Sequence, residues 1–155
     1  METKKLKFSP KALKEFESAQ ALFDNPKSAL IPTLYLAQRE FGYLSGAAIE
    51  YVAELTRLTP AKVMEVASFY TMLHKKPVGK NEIQVCGNIT CHMMKARKIF
   101  DHLKQKLKIE NQKFTLTHVE CLGACDKAPV IRINNKYHYH MTPEKIDELL
   151  ASCPD

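Results

Sequence analysis

Cys86-Gly-Asn-Ile-Thr-Cys91 and Cys121-Leu-Gly-Ala-Cys125 bracket the stretch on which the fold turns, and they hold four of the five cysteines of the chain. Between them, Ala96, Ile99, Phe100, Leu103 and Leu107 recur at helical spacing within a helix expected over 95–106. A strand is expected over 114–119, and another over 81–85, just before Cys86. Strand, helix and strand in that order make a parallel crossover, which is right-handed in nearly all proteins. Both cysteine loops then leave one edge of the sheet, beyond the carboxyl ends of the strands, where open α/β sheets usually bind ligands. Two thiol pairs remote in sequence thereby converge.

Four converging thiols suit more than one chemistry. Structural zinc sites mostly use knuckles with two to four intervening residues around a single ion. Plant-type [2Fe-2S] ferredoxins also use a four-residue spacer. Here the spacers are four and three residues, wide enough for each pair to wrap one iron. The N-terminus, Met1 to Phe8, lacks the apolar stretch of a secretory signal. A cytoplasmic chain is expected, and paired cysteines in a reducing compartment serve more often as metal or redox ligands than as disulfides. Spacing alone leaves the 2Fe-2S and the four-cysteine zinc readings open.

With 155 residues, 45% hydrophobic and 26% charged, the chain has the balance of a globular protein able to bury a core. Its apolar runs fall far short of the roughly 20 residues that span a bilayer, so no membrane span is expected. The net charge of +6 is spread along the chain, and no nucleic-acid recognition motif accompanies it. Positive charge has another use here, because an oxidised 2Fe-2S core with four thiolates is already anionic.

Three helix starts share one grammar, in which an apolar residue, Ser or Thr, and Pro are followed three residues on by another apolar residue. They are Phe8-Ser9-Pro10…Leu13, Leu58-Thr59-Pro60…Val63 and Met141-Thr142-Pro143…Ile146, and Leu44-Ser45…Ile49 repeats the pattern without proline. Four helices are expected over 10–23, 28–41, 46–57 and 60–73, the first with Leu13, Phe16 and Phe23 on one face. They read as a small antiparallel bundle. Val66 to Tyr70 carries more large apolar groups than one buried face needs, fitting either core packing or a second, protein-facing surface. His74 to Lys80 reads as a linker, giving a helical bundle over 1–78 and a second domain over 79–155. The fold class is therefore α/β, an N-terminal small helical bundle followed by a thioredoxin-like α/β domain with the order β-α-β-loop-β-β-α. Its last strands are expected over 130–133 and 136–140, joined by an Asn134-Asn135 turn, and a closing helix over 143–152.

With these residues in view, the chain resembles the thioredoxin-like 2Fe-2S subunit of respiratory NADH:quinone oxidoreductase, the E subunit of bacterial complex I. The likeness rests on Cys86, Cys91 and Cys121-Leu-Gly-Ala-Cys125-Asp-Lys-Ala-Pro129. In the helical part it rests on Ser-Ala-Leu-Ile-Pro32, Glu40-Phe-Gly-Tyr-Leu44 and Glu65-Val-Ala-Ser-Phe-Tyr70. One departure is the short Ile-Glu-Asn-Gln-Lys turn between Lys108 and Phe114. The resemblance implies one 2Fe-2S cluster held by Cys86, Cys91, Cys121 and Cys125. It implies one-electron exchange with FMN in the neighbouring NADH-oxidising subunit, other peripheral-arm subunits as partners, and a place peripheral to the inner membrane. No Gly-x-Gly-x-x-Gly marks a dinucleotide site in this chain itself. The same module occurs in NAD-linked hydrogenases and formate dehydrogenases.

The remaining candidates have plainer readings. Cys153 lies outside both pairs and reads as an uncoordinated thiol, and His92 is superfluous once four cysteines serve two irons. His138 and His140 read as one polar strand face. Lys127 reads either as a charge that raises the cluster potential or as a solvated side chain. Gly87 and Gly123 read as places where the backbone approaches sulfide. Pro129 fits a plain turn or a cis bond.

Overall fold

The computed structural model describes residues 6–107 and 113–152. Cys153 and most of the short turn after Lys108 lie outside the described residues. The chain divides into two compact units, Met1–Pro77 and Val78–Asp155.

The first unit contains α1 (Pro10–Ala21), α2 (Leu30–Phe41), α3 (Gly46–Thr56) and α4 (Pro60–Phe69). Their starts follow the capping grammar of the sequence. Ser9, Ser45 and Thr59 accept hydrogen bonds from the amides of Ala12, Ala48 and Lys62, satisfying donors that the first turn leaves free. Leu44 and Ile49 are buried together, as are Val63 and, in part, Leu58. The staple fails at α1. Leu13 and Phe23 stay partly exposed, and Ala12 turns inward beside Phe16.

Three boundaries differ from expectation for local reasons. A short 3-10 turn, Pro26–Ala29, precedes α2, so the predicted start at Ser28 falls in that turn. Helix α1 tightens after Ala21 through bonds from Leu22 and Phe23 to Ala19 and Gln20. Helix α4 ends at Phe69, not near Leu73, because Tyr70 turns extended and the following turn buries Leu73. Gly42 ends α2 at a φ of 83°, a left-handed conformation that suits glycine. Ser45→Ala should lower stability by about 1 kcal/mol through the lost cap of α3, read as an earlier midpoint in urea unfolding of the full chain.

The second unit holds β1 (Asn81–Cys86), α5 (Ile89–Met93), α6 (Ala96–Leu107), β2 (Phe114–Val119), β3 (Ile131–Ile133), β4 (Lys136–His138) and α7 (Pro143–Ala151). Its sheet has the order β2-β1-β3-β4, with β1 parallel to β2 and antiparallel to β3. As an inner strand, β1 is buried along nearly its whole length. Ile83, Val85 and Ile131 from the sheet close a core with Ile99 and Leu103 of α6 and Ile146 of α7. Thr142 caps α7 through the amide of Lys145, and its flanking Met141 and Ile146 are both buried.

The expected crossover helix is α6, and the short α5 precedes it. Lys95 adopts a left-handed φ of 69° between α5 and α6, breaking the helical run just after Met94. Strand β4 also ends early. His140 sits at φ 49° outside it, so His138 and His140 do not share a strand face, and the His140 amide bonds the carbonyl of Lys127. The Asn134 turn residue takes φ 52°, as a tight hairpin requires.

Candidate metal centre

Three segments meet at one edge of the sheet. Cys86 ends β1 in register with Val119 at the end of β2, so the two cysteine loops begin side by side. Strand β3 runs the other way, with Ile131 opposite Val85, so its start lies at the same edge. Cys86 donates its amide to Val130, and Gly87 donates to Val119, stitching all three segments together. The Ala128–Pro129 bond leading into β3 is cis.

This topology gathers all four predicted thiols, each of them free. Cys86 and Cys91 are buried and hydrogen-bonded to each other, while Cys121 and Cys125 are exposed with sulfurs 3.7 Å apart. The pairs sense one another: charge on Cys125 acts on Cys91, and charge on Cys86 acts on Cys125. Among the described residues no three His, Cys, Asp or Glu side chains are grouped to hold one metal ion. The sulfurs stand as two pairs instead.

Burial, joined by the hydrogen bond with Cys86, pushes the Cys91 thiol up to about 11, and the backbone at Val130 acts the other way. Cys125 is raised by its hydrogen bond to Cys121, while a hydrogen bond with the Thr90 side chain lowers it. Metal binding therefore displaces protons from these thiols. Polar groups already address the sulfurs. The Gly123 amide donates to Cys121 Sγ at 3.3 Å, and Gly123 holds φ 75° to do so.

Several neighbours of the thiols escape a reading by spacing. Asn88 accepts the Ile89 amide at 2.8 Å through Oδ1 and donates Nδ2 to Glu120 at 3.3 Å, joining one cysteine loop to the other. An asparagine just before a short helix is a capping signal that could have found half of this contact. Thr90 has no such signal. At Gly87 the structure adds a demand that spacing did not announce. The ring of His118 fills the space where its side chain would go, with Cε1 1.8 Å from an added Cβ. Lys127 places Nζ 4.7 Å from the Tyr139 ring centre, a cation–π contact. His92 is exposed on α5.

A family model described as thioredoxin-like [2Fe-2S] ferredoxin matches residues 16–154. The chain belongs to this family. An NADH-quinone oxidoreductase E subunit of Rhizobium meliloti, the second of that designation, is 37% identical over 144 residues, covering 89% of this chain and 86% of that protein. The NADH-quinone oxidoreductase E subunit of Rickettsia bellii is 44% identical over 134 residues, covering 82% of this chain and 80% of its own. These relatives bear out the resemblance to that respiratory subunit drawn from the cysteine and helical motifs. An NAD+-reducing [NiFe]-hydrogenase in the air-oxidized state shares the fold, with a TM-score of 0.67 over 78% of this chain and 22% of the hydrogenase chain at 20% identity. No helix among the described residues is long and apolar enough to cross a membrane.

Proposed function

We propose that this chain is the one-electron-transfer subunit of an NADH:quinone oxidoreductase. It binds one 2Fe-2S cluster through Cys86, Cys91, Cys121 and Cys125. The observation that carries this reading is the junction of β1, β2 and β3, which brings two free thiol pairs to one edge in a chain of the thioredoxin-like [2Fe-2S] family. Two thiolates for each of two irons suit that donor set. A structural zinc site takes four ligands around one ion, for which two separate pairs are the poorer match.

When bound, the cluster supplies a carrier for single electrons. The chain's own residues hold and tune it. Cys86 and Cys91 would hold it through buried thiols, and Cys121 and Cys125 through exposed ones. Thr90 and the amides of Gly123 and Val130 direct polar hydrogens at the sulfurs, which favours added negative charge. No side chain has to act as acid, base or nucleophile. The partner is the flavin-bearing subunit that oxidises NADH, within the peripheral part of the complex.

The anaerobically purified chain is expected to be brown, to contain about two irons and two sulfides per chain, and to bleach under dithionite with the appearance of an electron spin signal. A colourless chain holding stoichiometric zinc would replace this reading with the zinc module. Copurification with a flavoprotein that oxidises NADH tests the host.

A further inference from the structure

Lys127 stands two residues after Cys125, at the end of the 3-10 turn Cys125–Lys127 that closes the second cysteine loop. Although exposed, its side chain has a partner. Nζ lies 4.7 Å from the ring centre of Tyr139, and that ring is itself stacked on Tyr137 at 6.2 Å with 23° between the planes. The backbone makes the same connection. The His140 amide donates to the Lys127 carbonyl at 2.9 Å, and the Met141 amide donates to the Pro129 carbonyl at 3.1 Å, so residues 139–141 run alongside 127–129. This segment is anchored in turn by buried Met141 and by Lys145 Nζ, which donates to the His140 carbonyl at 3.0 Å. On the loop side, the Lys127 amide donates to the carbonyl of Ala124, the residue before Cys125, at 3.1 Å. Cys86 and Cys91 are buried, whereas Cys121 and Cys125 are exposed. A loop with little burial of its own depends on ties of this kind to hold its shape.

We infer that Tyr139 is a positioning residue for the cluster site, clamping Lys127 and through it the loop that carries Cys121 and Cys125. The inference rests on the electron-transfer reading above and names a residue that serves it without touching the sulfurs. A cation over an aromatic face needs the ring and not the hydroxyl, so phenylalanine should serve in place of tyrosine and leucine should not. Simple packing of the lysine stem would be served by leucine as well. Both residues lie at the surface, with Tyr139 38% exposed, so either can be replaced without opening the core.

The test follows the fading of the visible cluster spectrum when the anaerobic full chain meets an excess of iron chelator. Tyr139→Leu and Lys127→Met are each expected to speed the loss by ~2- to 5-fold, the factor that an exposed cation–π pair supplies, while Tyr139→Phe stays within about 1.5-fold of wild type. The double variant Lys127→Met with Tyr139→Leu should be no faster than either single variant, because both remove one interaction. The electron spin signal of the reduced chain should change shape in Tyr139→Leu and keep its wild-type shape in Tyr139→Phe. Urea unfolding midpoints should match wild type throughout, which separates a held loop from a held fold. A wild-type rate in Tyr139→Leu, a Tyr139→Phe chain as fast as Tyr139→Leu, or effects that multiply in the double variant would overturn the inference. A urea midpoint lowered in step with the rate would overturn it too, making the contact a prop of the fold alone. In each of those cases a brown wild-type chain leaves the electron-transfer reading standing. A colourless wild type removes that reading, and the inference with it.

Discussion

Cys121→Ser is expected to reduce bound iron and sulfide by at least ~10-fold while Cys153→Ser leaves both unchanged. Removing even an outer partner of a metal ligand often has an effect of that order, and a direct ligand matters more. A serine hydroxyl is a hard donor that stays protonated at neutral pH, whereas iron-sulfur cores take soft thiolates. Cys121 is also tied to the loop around it. It stands 3.7 Å from Cys125 and accepts the Gly123 amide, so losing its sulfur unseats the outward half of the site. Cys86→Ser should show the same loss at the buried half, where Cys86 is hydrogen-bonded to Cys91. Iron and acid-labile sulfide assays per folded chain, with dichroism as the folding control, read the outcome. Equal losses in Cys121→Ser and Cys153→Ser would remove the ligand assignment.

What could be read from the sequence was what is local or periodic. Ser9, Ser45, Thr59 and Thr142 are helix caps in the structure because a short oxygen-bearing side chain before a helix has one obvious partner, an orphan amide two or three residues on. The crossover was legible because helical spacing followed by a strand pattern at Phe114 needs no tertiary knowledge, and parallel strands then put both cysteine loops at one edge. Non-local packing was not legible. Lys95 breaks the helix between α5 and α6 without glycine or proline to announce it. Tyr70 leaves α4 so that Leu73 can be buried, a demand set by the core and not by helix propensity. At the site the thiols announced themselves by spacing, but Thr90, Glu120 and His118 are neighbours only through the β1–β2 register and the fold of the loops. Spacing identifies donors, and register decides what tunes them.

Gly87→Ala should destabilise the full chain by about 1–3 kcal/mol, the range for forcing an added methyl into filled space. The reason lies in β2. An added Cβ would stand 1.8 Å from Cε1 and 2.0 Å from Nε2 of His118, far inside contact distance. The His118 ring is itself seated edge-on against Phe100 at 5.6 Å, so moving aside breaks that contact. If the ring holds its place, the backbone must shift instead, and Gly87 carries the amide bond to Val119 one residue beyond Cys86. Strain relieved there reaches the thiol. A double-mutant cycle separates the two causes: in a His118→Ala background the cost of Gly87→Ala should fall below about 1 kcal/mol, because the occupied space is vacated. The visible cluster spectrum should shift in Gly87→Ala and return toward wild type in the double variant. The same loss of stability in both backgrounds would mean that the histidine ring is not what makes an added methyl costly at Gly87.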